Sequence, residues 1–173
     1  KNKGERKPKR PSNLDEKLII DADTQRFLRD LPKKWAYIPL GQITGNAPDS
    51  VVDGPFGSSI NVKEDYIDNI GVPVIRMVNI RPFQFIDKNL KYIKKEKFQT
   101  LKRHNIISGD VLLAKVGATI GDCCLFPLNV RESLLSTTGS CRIRVDSEIY
   151  SNKFLNIFLS YSKQILQAIA SSV

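Results

Sequence analysis

Few residues of this chain have the types and spacing that catalysis requires. His104 is the one histidine of the sequence, so neither a catalytic triad nor a histidine-rich metal site can be built from it. A carboxylate-metal nuclease needs Pro-Asp and, further along, an acid two positions before a lysine, because two acids hold the cation while the lysine activates water. Pro48-Asp49 is present, but no later lysine meets that spacing. We therefore expect no catalytic residue and no metal site.

Motifs that bind cofactors are missing as well. The sequence has no Pro-Pro, which amino-methyltransferases use to clamp a flipped base, and no G-x-G-x-x-G turn for a dinucleotide or a methyl donor. Residues 117–121 have the wrong spacing for a phosphate loop and are better interpreted as tight turns that flank a β segment. We expect no cofactor.

The cysteines and the hydropathy indicate the compartment. Cys123, Cys124 and Cys141 are odd in number and form no C-x-x-C spacing, so they predict reduced thiols rather than disulfides or a zinc site. No apolar run approaches the ~20 residues of a membrane span. These observations predict a cytoplasmic protein without a membrane partner.

The positive charge of the chain is concentrated in two stretches. The formal net charge is +9. Residues 1–13 carry six Lys or Arg against one acid, and residues 91–103 carry six against one. Such a basic chain favours a polyanionic partner, which is usually nucleic acid and less often an acidic membrane surface or an acidic protein.

The elements that must position the remaining candidates are mostly strands. From Trp35 onward, short apolar runs are bounded by Gly, Pro, Asn and Asp, a pattern typical of many short strands. Residues 1–30 form a basic linker or tail with a short helix, and residues 31–173 form one domain. Residues 152–170 have the spacing of an amphipathic helix. The predicted fold class is α/β of the α+β type: irregular and β-rich, with several short strands, a few short helices and a C-terminal amphipathic helix.

One strand shows clear alternation. In residues 140–145, Cys141, Ile143 and Val145 alternate with Arg142 and Arg144. Because side chains of a strand point to opposite faces in turn, the pattern predicts a half-buried strand with its two arginines on an outer, basic face.

Four segments together resemble the target-recognition domain of type I restriction-modification specificity subunits. They are LPKKWAYIPLGQI (31–43), DGPFGSSI (53–60), GVPVIRMVNI (71–80) and ISGDVLLAKVGATIG (107–121). Each is weakly specific alone, whereas their order and spacing are characteristic. The resemblance covers residues 31–173 and lacks a second copy of the pattern, so the chain is expected to be a fragment of a larger subunit.

The resemblance implies an irregular α/β fold that reads one half of a bipartite site on double-stranded DNA. Methylation and cleavage would then belong to partners, the methyltransferase (modification) subunits and the restriction subunit of the same complex. Two alternatives stay open: the recognition domain of a single-chain methyltransferase-endonuclease, and a basic protein-interaction module that meets an acidic partner. A standalone nuclease is the weakest interpretation.

Within that resemblance, the candidates for reading bases are Arg76, Asn79 and Arg81. Arginine pairs in bidentate fashion with guanine, and asparagine with adenine. All three lie near the end of one predicted strand. The alternative gives Arg76 a buried salt bridge and Asn79 a hydrogen bond within a turn.

Other candidates would contact phosphates or enter a groove. The loop residues Gly57, Ser58 and Ser59 allow close approach to a phosphate, unless they form a turn with Phe56 packed in the core. Lys115 and Thr119 lie on or beside a turn that could enter a groove, or they are solvated turn residues. The basic stretch supplies the remaining candidates for phosphate contact, which are Lys91, Lys94, Lys95, Lys102 and Arg103.

Overall fold

The computed structural model describes residues 30–44, 47–68 and 70–162. Its helices are α1 (Leu40–Ile43), α2 (Lys95–Thr100) and α3 (Asn152–Tyr161). Its strands are β1 (Val51–Asp53), β2 (Tyr66–Ile67), β3 (Val72–Ile75), β4 (Ile80–Arg81), β5 (Gln84–Phe85), β6 (Lys91–Ile93), β7 (Asn105–Ile106), β8 (Val111–Ala114), β9 (Cys123–Leu125), β10 (Ser133–Leu135) and β11 (Ser140–Ile143). Single turns of 3₁₀ helix occupy Gly57–Ser59, Met77–Asn79, Lys102–His104 and Gly117–Thr119.

The strands form two main sheets and one small hairpin. The first sheet has the order β1-β11-β8-β9, and all its neighbours are antiparallel. The second has the order β2-β6-β3-β10-β7, in which β3 and β10 are parallel and the other pairs are antiparallel. Strands β4 and β5 pair with each other. The predicted α+β fold with many short strands and a few short helices is confirmed.

Alternating side chains of the strands supply three apolar layers. Between the two sheets lie residues such as Ile75, Leu112 and Leu135, all fully buried. Their neighbours Val74 and Leu134 point the other way and pack under α2. The layers therefore run from α2 through the second sheet and the first sheet to α3, which buries Leu155 and Leu159 on the first sheet. The central strands β3, β10, β8 and β11 are therefore covered on both faces, and most of their side chains are apolar.

The prediction of an outward, basic face on β11 is wrong for Arg142. This residue is 2% exposed and lies on the face of β11 that meets the second sheet. Its guanidinium donates to the carbonyl oxygens of Asn105 (2.6 Å), Arg103 (3.3 Å) and Ser50 (3.4 Å). Burial lowers the pKa of Arg142, helped by the nearby positive charge of Arg144. Alternation identified the two faces correctly, but it could not show that a second sheet covers the polar one.

The C-terminal helix begins where it was predicted to begin. Ser151 caps α3, because its hydroxyl accepts a hydrogen bond from the Phe154 backbone N–H at 3.2 Å. The helix is described to Tyr161, and the rest of the predicted span to residue 170 lies outside the described residues. The same holds for residues 1–29 of the segment 1–30 that was predicted to be a linker or tail with a short helix. Among the helices that the structure describes, none has the length and apolar character needed to cross a membrane.

Candidate nucleic-acid interface

Four loops meet at one end of the two sheets. Strands β1 and β8 both run antiparallel to β11, so both end beside the start of β11. Strand β3 runs parallel to β10, and β10 leads through residues 136–139 into β11. The loops that follow β1, β3, β8 and β10 therefore leave the sheets on the same side. We call this surface the rim and define it as residues 54–59, 76–79, 115–119 and 136–139.

Direct contacts hold the rim loops together. The Gly54 N–H donates to the Ser140 carbonyl oxygen at 3.0 Å, which ties the loop after β1 to the start of β11. A Cβ atom at Gly54 would lie 2.1 Å from the Thr137 carbonyl oxygen. Because the atom in the way belongs to the backbone, a side chain at position 54 would force the backbone to move, so glycine is required for this close packing. The loop that carries Phe56 is thus fixed against the turn that carries Thr137.

The other two loops are joined in the same way. The Lys115 N–H donates to the Gly139 carbonyl oxygen at 2.8 Å, and the Ser136 N–H donates to the Ile75 carbonyl oxygen at 3.0 Å. A Cβ atom at Gly139 would lie 3.0 Å from both the Met77 sulfur and a Val116 methyl group. The rim is consequently one connected surface built from three of the segments that carried the family resemblance and from the turn of residues 136–139.

The predicted loop candidates lie on the rim. Gly57 and Ser58 are exposed, Ser59 and Thr119 are half-buried, and the space around Gly57 is open, because a Cβ atom there would meet nothing within 4 Å. Phe56 is 75% exposed, so the alternative that packs it in the core is wrong. Lys115 forms an ion pair with Asp53 at 2.6 Å, which neutralises part of its charge.

Arg76 and Lys91 line an open cleft of about 460 Å³ beside the rim, together with Val62, Tyr66, Ile67 and Asp68. Arg76 forms no ion pair with any described residue, and its Nη2 donates to the Asn89 carbonyl oxygen at 2.8 Å. Its Nε is buried and has no hydrogen-bond partner among the residues that the structure describes. Burial raises the pKa of Tyr66, against the opposing influence of the Arg76 charge. Two cations face one carboxylate in this cleft, so it has a net positive charge that suits an anion.

Asn79 does not face solvent, so its prediction as a base reader is corrected. It is 1% exposed, and its side-chain oxygen accepts from the Arg76 N–H at 3.0 Å. Its side-chain nitrogen donates to the carbonyl oxygens of Ile86 (2.9 Å) and Lys88 (3.1 Å). The amide is used within a turn, as the alternative interpretation expected. A short polar side chain that follows an apolar run is a turn signal as much as a recognition signal.

Arg81 is half-buried, and its guanidinium is hydrogen-bonded to backbone that lies close to it in the sequence. Its Nη1 donates to the carbonyl oxygens of Ile80 (2.7 Å) and Met77 (3.1 Å). Arg81 is the last residue of β4 in the short β4–β5 hairpin and lies outside the rim. Of the three residues predicted to read bases, the structure therefore places Arg76 on the rim with its charge unpaired by described residues.

The basic stretch of residues 91–103 is divided by the fold. Lys94 and Lys95 are exposed at the far end of β6 from Lys91, and no described carboxylate pairs with them. Lys102 pairs with Glu132 at 2.6 Å, and Arg103 pairs with Asp49 at 2.8 Å. Since β6 separates them, Lys91 and Lys94 are roughly 10 Å apart along the strand.

Sequence reasoning did not propose five rim residues as DNA contacts, although the structure exposes all of them. They are Phe56, Val78, Val116, Thr137 and Thr138. The available signal was Ser-Thr-Thr-Gly at residues 136–139, a hydroxyl-rich turn between two apolar runs.

The three cysteines are unbridged and buried. Burial raises the pKa of Cys123, Cys124 and Cys141 to about 12 in each case. Within residues 30–44, 47–68 and 70–162, no group of three or more His, Cys, Asp and Glu side chains is arranged to hold a metal ion.

The fold is similar to that of solved type I restriction-modification proteins. The crystal structure of the HsdS subunit from Thermoanaerobacter tengcongensis matches with a TM-score of 0.55 and 17% identity, over 80% of this chain and 30% of that one. A chain from a structure of the complex assembly and conformational transition of the type I R-M system matches with a TM-score of 0.52 and 18% identity, over the same shares. This chain therefore spans about a third of the length of each.

No family model matches the sequence. No curated protein matches it either. At these identities the likeness concerns the fold, and at that level it confirms the resemblance that the four sequence segments indicated: the chain has the fold of a part of a type I R-M specificity subunit.

Proposed function

We propose that this chain reads one half of a bipartite duplex DNA site as the target-recognition domain of a type I restriction-modification specificity subunit. The observation that carries the proposal is the shared fold, which extends over 80% of this chain in two such structures. In this proposal, methylation and cleavage are performed by partner methyltransferase and restriction subunits in the cytoplasm, and this chain binds no cofactor.

The chemistry of the rim supports DNA as the ligand. Glycine and serine at positions 57–59 allow close approach to a phosphate, and hydroxyl groups of Ser58, Thr137 and Thr138 are accessible to hydrogen-bond acceptors. Beside the rim, the cleft of Arg76 and Lys91 suits a backbone phosphate.

The proposal is tested by selection from a random duplex library with the 173-residue chain at low salt, followed by sequencing. We expect one short motif to be enriched. Its affinity should exceed that of scrambled duplex by at least ~10³-fold, as in sequence-specific domains. Binding that is independent of sequence at every salt concentration would contradict the proposal and favour a basic protein-interaction module.

Variants in which a basic residue is replaced by Gln distinguish residues that contact DNA phosphates from residues that contact bases. Replacing Lys94 and Lys95 with Gln should weaken selected and scrambled duplexes alike and reduce the slope of log affinity against log salt by about one per lost contact. Lys153→Gln is the matched control, since Lys153 is an exposed lysine on α3. Arg76→Gln should relax discrimination at one base pair by ~1–3 kcal/mol if Arg76 reads a base, and should act like the lysine variants if it grips a phosphate.

A further inference from the structure

We infer that the rim reads thymine 5-methyl groups in the major groove, through the exposed apolar side chains of Phe56, Val78 and Val116. Thr137 and Thr138 donate hydrogen bonds to neighbouring base acceptors. This inference rests on the proposed function and names the chemistry by which that function is carried out.

The three apolar side chains of Phe56, Val78 and Val116 are exposed and do not pack in the hydrophobic core. Phe56 is 75% exposed, Val78 52% and Val116 48%, and none belongs to the three apolar layers. A single exposed apolar residue is ordinary. Here three of them stand on three separate loops that leave the sheets at the same end, which makes them one surface feature.

The loops that carry these side chains are held rigidly. Gly54, two positions before Phe56, lies against the Thr137 backbone, and Gly139 lies against both Met77 and Val116. Met77 and Val116 are direct neighbours of Val78 and Gly117, so the close packing extends to all four loops. A surface fixed before binding loses little conformational entropy on contact, which suits the discrimination of small chemical differences.

The chemical types of the exposed rim side chains determine which groups of a DNA base pair they can contact. In the major groove, the one apolar feature that base pairs display is the thymine 5-methyl group. The only amide among the rim residues, all of which the structure describes, is Asn79, and its amide is used within its turn. Apolar groups and hydroxyls remain on the exposed part of the rim, and they complement methyl groups and the acceptors beside them.

The surroundings of the rim favour DNA over a protein partner. The cleft of Arg76 and Lys91 places positive charge next to the apolar side chains, where a backbone phosphate would lie once the rim enters a groove. Glycine and hydroxyl residues interrupt the apolar side chains, so they do not form the contiguous apolar patch typical of protein interfaces.

Uracil in place of thymine tests the inference, because it removes the 5-methyl group and leaves base pairing unchanged. The motif selected by the wild-type chain is synthesised with each thymine replaced singly by deoxyuridine. We expect affinity to fall about fourfold at one or more positions, the value of one buried methyl group. If the selected motif contains no thymine, or if no replacement changes affinity, the inference is overturned while the proposed function stands.

Variants assign the methyl contacts to side chains. Val116→Thr and Val78→Thr keep the shape and remove a methyl group, and Phe56→Ala removes the ring. At the position that each side chain contacts, the variant should bind thymine and uracil duplexes equally, whereas scrambled duplex and the salt slope should be unaffected.

Phe158→Ala is the matched control, since Phe158 is 51% exposed on α3 and outside the rim. It should retain the full preference for thymine. Thermal unfolding by circular dichroism verifies that each variant is folded. Folded rim variants that all keep the preference for thymine would overturn the inference, whereas failure to select any motif would overturn the proposed function.

Discussion

Arg144 and Asp110 form a bidentate ion pair at the end of the two central strands of the first sheet, β11 and β8. The Nε and Nη2 atoms of Arg144 each donate to one Asp110 carboxylate oxygen at 2.8 Å. The Asp110 side chain is 1% exposed, and the Arg144 side chain is 33% exposed. Asp110 also accepts the Ile107 N–H at 2.8 Å. The pair thus neutralises a buried carboxylate that shapes the loop before β8.

Arg144→Leu should lower the free energy of unfolding by ~3 kcal/mol, because it leaves the Asp110 carboxylate buried without its ion-pair partner. Urea denaturation followed by circular dichroism measures the change. Arg103→Leu is the control, since its pair with Asp49 has side chains 67% and 50% exposed. That variant should lose less than ~1 kcal/mol. Equal losses in the two variants would contradict the role assigned to Asp110.

Gly54→Ala should lower the free energy of unfolding by ~2 kcal/mol or more, since the new Cβ atom would lie 2.1 Å from the Thr137 carbonyl oxygen and the backbone must move. Gly57→Ala, in the same loop, meets open space and should leave stability within ~0.5 kcal/mol. Thermal melts of the two variants provide the measurement. A stable Gly54→Ala protein would show that the loop after β1 is not held against the turn of residues 136–139.

Asn79→Ala should lower the free energy of unfolding and should leave the discrimination between bases unchanged. The substitution leaves the Arg76 N–H and two carbonyl oxygens without their partner, at a cost of about 2 kcal/mol. Chemical denaturation measures the cost, and competition with single-base variants of the selected duplex measures discrimination. Unchanged stability with relaxed discrimination would restore Asn79 as a base reader.

The cysteines should resist alkylation in the folded protein. Burial raises the pKa of Cys123, Cys124 and Cys141 to about 12, so at pH 8 only about one thiol in 10⁴ is the reactive thiolate. Iodoacetamide at pH 8 should add nothing to the native mass and three groups after unfolding in guanidinium. Rapid labelling of the native chain would show that α3 or the sheets open readily.

Much of the fold could be predicted from the sequence, because short strands leave local signals. Apolar runs separated by turn residues predicted the β-rich architecture, and Ser151 marks the start of α3 in the expected place. The burial of Arg142 could not be predicted. Alternation within β11 is local, whereas the second sheet that covers its polar face is brought there by residues far away in the sequence.

The candidate site was predicted in part. Gly57, Ser58, Ser59, Arg76, Lys115 and Thr119 all lie on the rim. Residue type suggested the chemistry of each, but only the three-dimensional arrangement shows that Asn79 is enclosed and that Phe56 is exposed. The meeting of four loops at one end depends on strand order, which the sequence pattern does not encode locally.

The parallel pairing of β3 with β10 joins Val74 to Leu134, residues about sixty positions apart. The chain must close this long loop before β3 and β10 can pair. The conformational entropy of the loop is therefore lost before the contacts between the strands form. Folding should therefore be slow for a chain of this size, on the order of milliseconds to seconds, and limited by topology.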